Sequence, residues 1–478
     1  MIRSFRPFRR SLAAVAMRAG CWSAGGRFVA LARWPDDPLA VGQQRLAELL
    51  QHARDNVPFY ADRIPAVDRR QSADPASVLE QIPVTTKDDV EAHFPDQITD
   101  GSDPADWRLM STRGTAQRLI TIHGFAKRDA VRAANLRMLC DSGRYRPGLP
   151  SVEIPPEVCE TVCGDLGETQ TGVVSHVMGM LRQRQWRDTQ PFRDLRGLIE
   201  THWVFHRQTY PGFGLHGSHP DPDTLNQYVA RLRTDRPYLV KALATYLTTL
   251  ARHLQRNDLP PLNIPVIKTM GSRVTPGQRS LIESSFGGKY WDDYGSAEFG
   301  TIANECVEHA GLHVYSDWFH VEVVDDAGNP VPDGKVGHVL ITDLVNHTMP
   351  LIRYKIGDLG RIDRSPCPCG NKTPRLTVHG RAQDIVTLSQ GRIQTTDDVL
   401  DFLEALPGVD SAQLVDCGDH SYQVSVVPAP NRPLSLDETK QAIVNWLSNP
   451  QDSSPPAVDV QTVATIRPES GGKFRYVK

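Results

Sequence analysis

The run "IPVIKTMGSRVTPGQRSLIESSFGGKYWDDYGSAEFG", residues 264–300, decides the fold class. "IPVIKTMG" has the length and composition of a short buried strand, and "KYWDDYG" reads as another. Between them, "TPGQRSLIESSFG" opens on Thr275 with Pro276 in its first turn, the signature of a capped helix. Strand, helix and strand in one stretch of chain imply layered α/β structure.

Upstream, "LAVGQQRLAELLQHARDNVPFY" at 39–60 carries apolar residues at helical spacing up to Pro58. Residues 224–256 read as two helices divided near Pro237. Downstream, 319–344 reads as two alternating strands around a Gly/Pro/Asp turn. A break falls in "SPCPCGNKTPRLTVHG", 365–380, and a helix–strand–strand–helix unit of about a hundred residues follows it. The expected layout is a basic N-terminal extension or helix over 1–40, a large α/β domain over 41–378 and a small α+β domain over 379–478.

Composition is that of an ordinary globular protein, with 40% hydrophobic and 23% charged residues and a net charge of −3. That balance lacks the basic excess needed to neutralise nucleic-acid phosphates. No apolar run reaches the roughly 18–20 residues that span a bilayer, so neither a nucleic acid nor a membrane is expected as partner. "MIRSFRPFRRSLAAVAMRAGCW" is Arg-rich and acid-free, but Arg18 interrupts its apolar part, and a basic helix is the favoured reading over a targeting peptide. Eight cysteines in 478 residues make no disulfide scaffold, so a reducing, cytoplasmic setting is expected.

Four motifs carry the chemistry. "YWDDYGSAEFG" places an aromatic ring, a glycine and the Glu298 carboxylate at one strand end, suited to a purine, a phosphate and a divalent cation. "PLIRYKIGDLGRI", 350–362, sets Asp358 just after a glycine turn, where a carboxylate can accept from two sugar hydroxyls or simply cap the turn. "HGRAQDIVTLSQGRIQTTDDV" follows at the proposed boundary, and "RPESGGKFRYVK" ends the chain with Lys473 behind two glycines.

In this order and spacing the motifs resemble those of the phenylacetate–CoA ligase-like family, within the adenylate-forming superfamily of acyl- and aryl-CoA synthetases. The resemblance covers roughly 42–478 and is weakest between about 130 and 220. It extends to "LLQHARDNVPFYADR", "LEQIPVTTKDDV" and the 319–344 hairpin. It implies an AMP-binding large domain and a mobile lid domain that swings between two half-reactions.

Residue by residue, the resemblance implies that Tyr294 stacks on adenine with Gly295 and Ser296 beside it, and that Glu298 coordinates Mg²⁺. Asp358 would bind the ribose, Arg381 the ribose or phosphate, and Lys473 the developing acyl-phosphate oxygens. Four departures stand out: Ala297 replaces a phosphate-side Thr, Gln383 occupies the hinge position, and Ser272 stands where relatives often have Glu. The phosphate loop is also reduced, leaving Ser111, Thr112, Gly114 and Thr115 as donors, with Arg113 or Arg118 supplying charge.

Cys306, His313, Cys367 and Cys369 offer four soft or borderline ligands suited to tetrahedral zinc, with His309 a competing ligand. Unrelated free cysteines are the plainer alternative; some members of the resembled family carry a similar pattern, which favours a structural zinc.

The expected function is ATP- and Mg²⁺-dependent activation of a small carboxylic acid, an aryl acid by analogy. The acyl group would then pass to coenzyme A or a carrier-protein thiol. The competing expectation is a degenerate relative that binds nucleotide or acyl ligand without completing adenylation, or that uses a non-thiol acceptor. Oligomeric state is open, a dimer included.

Overall fold

The computed structural model describes residues 33–65, 74–111, 119–141, 148–155, 206–213, 220–270, 274–388, 393–429, 432–449, 454–464, 466 and 476–478. Residues 1–32, Thr112, Arg113, Gly114, Thr115, Arg118, Ser272 and Lys473 lie outside the described residues.

Among the described residues, seven helices have ten residues or more: α1 (Pro38–Asn56), α2 (Phe125–Asp141), α3 (Pro222–Asp235), α4 (Ala244–Arg256), α5 (Pro276–Phe286), α6 (Thr396–Ala405) and α7 (Leu436–Leu447). β1 (Arg108–Ser111) and β2 (Ile120–His123) pair antiparallel on either side of the loop quoted for phosphate. A parallel sheet is built from β3 (Ser151–Ile154), β4 (Arg207–Thr209), β5 (Leu239–Ala242), β6 (Val266–Thr269) and β7 (Lys289–Tyr290), in the order β4-β3-β5-β6-β7.

An antiparallel sheet comprises β8 (Asp293–Ser296), β9 (Gly300–Glu305), β10 (Leu312–Val314), β11 (Phe319–Val324), β12 (Gly337–Asp343), β13 (Tyr354–Asp363) and β14 (Arg375–Arg381). Its order is β11-β12-β13-β14-β10-β9-β8. Beyond it, β15 (Val386–Thr387) pairs with β16 (Ile393–Gln394), and β17 (Val409–Gly418), β18 (Ser421–Pro428) and β19 (Ala457–Thr462) form a three-stranded sheet. Among the described residues no helix is long and apolar enough to cross a membrane.

The layered α/β class is as the sequence implies, and the deciding run folds as read in its first two elements. Thr275 caps α5 through a reciprocal pair with Gln278, an arrangement worth about 1 kcal/mol. Two readings need correction. "PYLVKA" is not a helix–helix junction: α3 ends at Asp235, β5 intervenes, and α4 starts at Ala244. Leu, Lys and Ala are good helix formers, and a four-residue strand buried in a parallel sheet shows no alternation to oppose them. Nor is "KYWDDYG" one strand. Lys289 and Tyr290 close the parallel sheet, Trp291 and Asp292 cross a gap, and Asp293 opens the antiparallel one.

Three apolar cores result. One lies under the antiparallel sheet around Trp318, Leu340 excepted, with α1 and α2 contributing Leu46, Leu49 and Ala133. One sits between the parallel sheet and helices α3–α5. The third joins Val386, Leu403, Leu414, Val424 and Ile443 beneath the three-stranded sheet. This last part touches α4 and α5 by polar contacts: Thr275 donates to Glu404, Gln278 to the Tyr476 hydroxyl at 2.9 Å, and Arg252 pairs with Asp410 at 2.9 Å.

Candidate active site

β8 is the edge of the antiparallel sheet, four strands from β13. In a flat sheet that separation is about 19 Å. Yet the Tyr294 hydroxyl donates to Asp358 Oδ2 at 2.6 Å, so the sheet curls until edge and middle face each other. β13 and β14 set Asp358 opposite Arg381, whose Nε lies 3.3 Å from Asp358 Oδ1 and whose Nη1 donates to the Ile356 carbonyl at 3.1 Å. The chain thus brings Tyr294, Asp358 and Arg381 into one line of contact. Burial and the Asp358 carboxylate together hold the Tyr294 phenol well above its ordinary pKa, so it stays a donor.

Gly295 is required where it stands: a Cβ there would meet the Gly300 carbonyl oxygen at 2.3 Å. Two residues along the same face of β8 from Tyr294, the Ser296 hydroxyl oxygen is buried and, among the described residues, has no hydrogen-bond partner. A buried hydroxyl of this kind calls for a partner such as water or a ligand. Glu298 is 9% exposed in the turn after β8. Its main-chain carbonyl accepts from His123 Nε2 at 2.8 Å, which ties the turn to β2 and so to the end of the loop that precedes it. Burial and nearby Lys127 push the His123 pKa down to about 4, leaving a neutral imidazole. Ser111 ends β1 opposite Ile120. Gln383 is exposed just past β14, where Ala382 donates to the Gly357 carbonyl at 2.9 Å.

Sequence reasoning did not separate Arg353 from Asp358 within their shared motif. Arg353 is buried, and its guanidinium donates to Glu322 at 3.1 Å and to the carbonyls of Glu80, Ile82 and Gly328 at 3.1, 2.7 and 2.7 Å. It also missed His123 and the Lys268–Asp293 ion pair at 3.3 Å, whose positions depend on which strands become neighbours.

The cysteine reading gathers into one cluster. The ligand atoms of Cys306, His313, Cys367 and Cys369 all lie within 4.8 Å of one another. Cys306 Sγ is 3.8 Å from Cys367 Sγ, and Cys369 Sγ is 3.4 Å from His313 Nε2. His313 Nδ1 faces the Thr373 carbonyl at 3.2 Å, which fixes the proton there and leaves Nε2 free towards the sulfurs. His309 is not in the cluster: it is held by Glu305 at 2.9 Å and Arg279 at 2.8 Å.

No family model matches the chain. A phenylacetate–coenzyme A ligase of Thermus thermophilus is 33% identical over 181 residues, 36% of this chain; the matched stretch spans only 40% of that relative's length. The Escherichia coli phenylacetate–coenzyme A ligase is 24% identical over 365 residues, 74% of this chain and 73% of its own. A crystal structure of 2-hydroxyisobutyryl-CoA ligase in the postadenylation state, with an acyl-adenylate bound, superposes with a TM-score of 0.67 at 20% identity. That superposition covers 91% of this chain and 88% of the other. The fold is that of the adenylate-forming enzymes. In sequence, the chain is similar to phenylacetate–coenzyme A ligases over up to about three quarters of its length.

Proposed function

We propose that the protein activates a small carboxylic acid with ATP, forming an acyl-adenylate and releasing pyrophosphate, and then passes the acyl group to coenzyme A. The observation that carries this is the contact line Tyr294–Asp358–Arg381, with the Ser296 hydroxyl, unpartnered among the described residues, two residues along from Tyr294. In this reading the Tyr294 ring lies along adenine and Asp358 exchanges its bond from Tyr294 for the ribose hydroxyls. Arg381 neutralises phosphate or holds the ribose, and Ser296 donates to the phosphate side. Ser111, Thr112, Arg113, Gly114 and Thr115 are assigned to the β- and γ-phosphates, and Lys473 to the oxygens that gain charge as the carboxylate attacks. Mg²⁺ held by Glu298 would supply charge neutralisation when bound. The segment after residue 379 is assigned as a lid turning about Gln383.

Acid-dependent exchange of labelled pyrophosphate into ATP, over a panel of aryl and alkyl acids, is the test. Exchange with none of them, alongside measurable ATP binding, overturns the proposal. Lys473→Ala is expected to abolish exchange while ATP binding stays nearly intact; equal loss of both refutes its role. A second reading, a relative that binds nucleotide without turnover, draws on Ala297 and the reduced phosphate loop. The same assay decides between them.

We also propose a structural zinc at Cys306, His313, Cys367 and Cys369. Tetrahedral Zn–S bonds of about 2.3 Å require sulfurs about 3.8 Å apart. The observed separation of Cys306 and Cys367 fits that value. Four protein ligands close the site to substrate, so its work is to pin the turn after β9 to the strand leading into Gln383. Purified protein should contain about one equivalent of metal. Protein that is metal-free and equally stable removes the assignment.

A further inference from the structure

Register in the parallel sheet aligns Glu153 on β3, Lys241 on β5 and Lys268 on β6 side by side on one face. Adjacent members stand one strand spacing, about 4.8 Å, apart. This face turns towards the antiparallel sheet. Leu239 and Val266, two residues before each lysine, belong to the core beneath that sheet, whereas Val240 and Ile267 belong to the helical side.

The charges along this face are answered, with one exception. Glu153 pairs with Arg207 at 2.8 Å and Lys268, fully buried, with Asp293 at 3.3 Å. Asp141, at the end of α2, takes the Trp34 indole at 2.7 Å and feels Arg137 and Lys268. Lys241 is half-buried and, among the described residues, its side chain has neither hydrogen-bond nor ion-pair partner.

We infer, building on the adenylating function proposed above, that Lys241 receives a second anionic group of the acid substrate, so that the enzyme's acid is a diacid rather than a plain aryl acid. The place is right: ligands of α/β proteins bind beyond the carboxyl ends of parallel strands. Lys268 links this face to the candidate site, because its partner Asp293 immediately precedes Tyr294. The electrostatics point the same way. Lys268 is answered by Asp293 while Lys241, one strand away on the same face, is left to receive an incoming carboxylate. From Asp293 to Ser296 is three residues of strand, about 10 Å. A substrate with its reacting carboxyl near Ser296 therefore holds its second acid group across a body the size of an aromatic ring.

The test uses the full chain and matched acids, phenylacetate against 4-carboxyphenylacetate, in pyrophosphate exchange, with calorimetric binding of each acid in the absence of ATP. The wild type should favour the diacid about tenfold or more in kcat/KM; Lys241→Met should erase that preference, and Lys241→Arg should keep it. Exchange with phenylacetate at a selectivity that Lys241→Met leaves unchanged sinks the anion site and spares the ligase. Diacid binding that Lys241→Met weakens, with no exchange by any acid, supports the anion site while the ligase reading fails. Melting curves identify a variant that has lost its fold, and Lys241→Arg then carries the comparison.

Discussion

Arg353 and Asp358 stand five residues apart in one short motif, yet the molecule uses them in opposite ways. Arg353 spends its guanidinium on Glu322 and three main-chain carbonyls, joining β13, β11 and the segment around residue 82. Asp358, 8% exposed, meets side chains that can move away, among them the Tyr294 hydroxyl and the half-exposed Arg381. The difference is exchangeability. A group bonded to fixed carbonyls cannot leave them without orphaning them, whereas one bonded to side chains can trade partners with a ligand.

The largest effect should come from breaking the fixed half. Arg353→Met strands the buried Glu322, whose carboxyl burial already pushes upward, and leaves three carbonyls unanswered. Losing one partner of a buried pair costs about 3–5 kcal/mol. Denaturant midpoints should fall accordingly, and an unchanged midpoint would remove the distinction drawn here. Asp358→Asn should do the reverse. Its unfolding free energy should stay within about 0.5 kcal/mol of wild type, while kcat/KM for ATP in the exchange assay drops about 100-fold. Loss of stability in place of activity would place Asp358 with Arg353.

The same contrast explains what could be read from sequence. Tyr294, Glu298, Asp358 and the Cys-x-Cys pair were legible because each sits in a local pattern with a recognisable spacing. Arg353 carried equal weight in its motif, but its carbonyl partners come from residues 80, 82 and 328, which no local pattern announces. β5 was read as helix because four residues with helix-forming side chains become a strand only through neighbours more than twenty residues away. Lys241 became informative only once register set it beside Lys268.

A smaller and sharper break concerns the two histidines that competed for the metal. His309 is occupied by Glu305 and Arg279, while His313 offers Nε2 to Cys369. Metal analysis should therefore give near-full occupancy in His309→Ala and a large loss in His313→Ala. The reverse result would exchange their roles.

The smallest expected effect tests how firmly the turn bearing Glu298 is tied down. His123 has its pKa lowered to about 4 by burial, as does His320 on β11, against an ordinary value of 6.5. Between pH 6.5 and 4 the unfolded chain therefore binds more protons at these sites than the folded one, so stability falls as pH drops through that window. One fully titrating group changes stability by about 1.4 kcal/mol per pH unit at most. His123→Gln keeps a donor for the Glu298 carbonyl but cannot titrate, so the slope of unfolding free energy against pH should shrink measurably, by up to about 1.4 kcal/mol per pH unit, in urea melts. A slope untouched by His123→Gln would mean that the imidazole is reached by water in the folded protein. The tie between β2 and the Glu298 turn would then be a loose one.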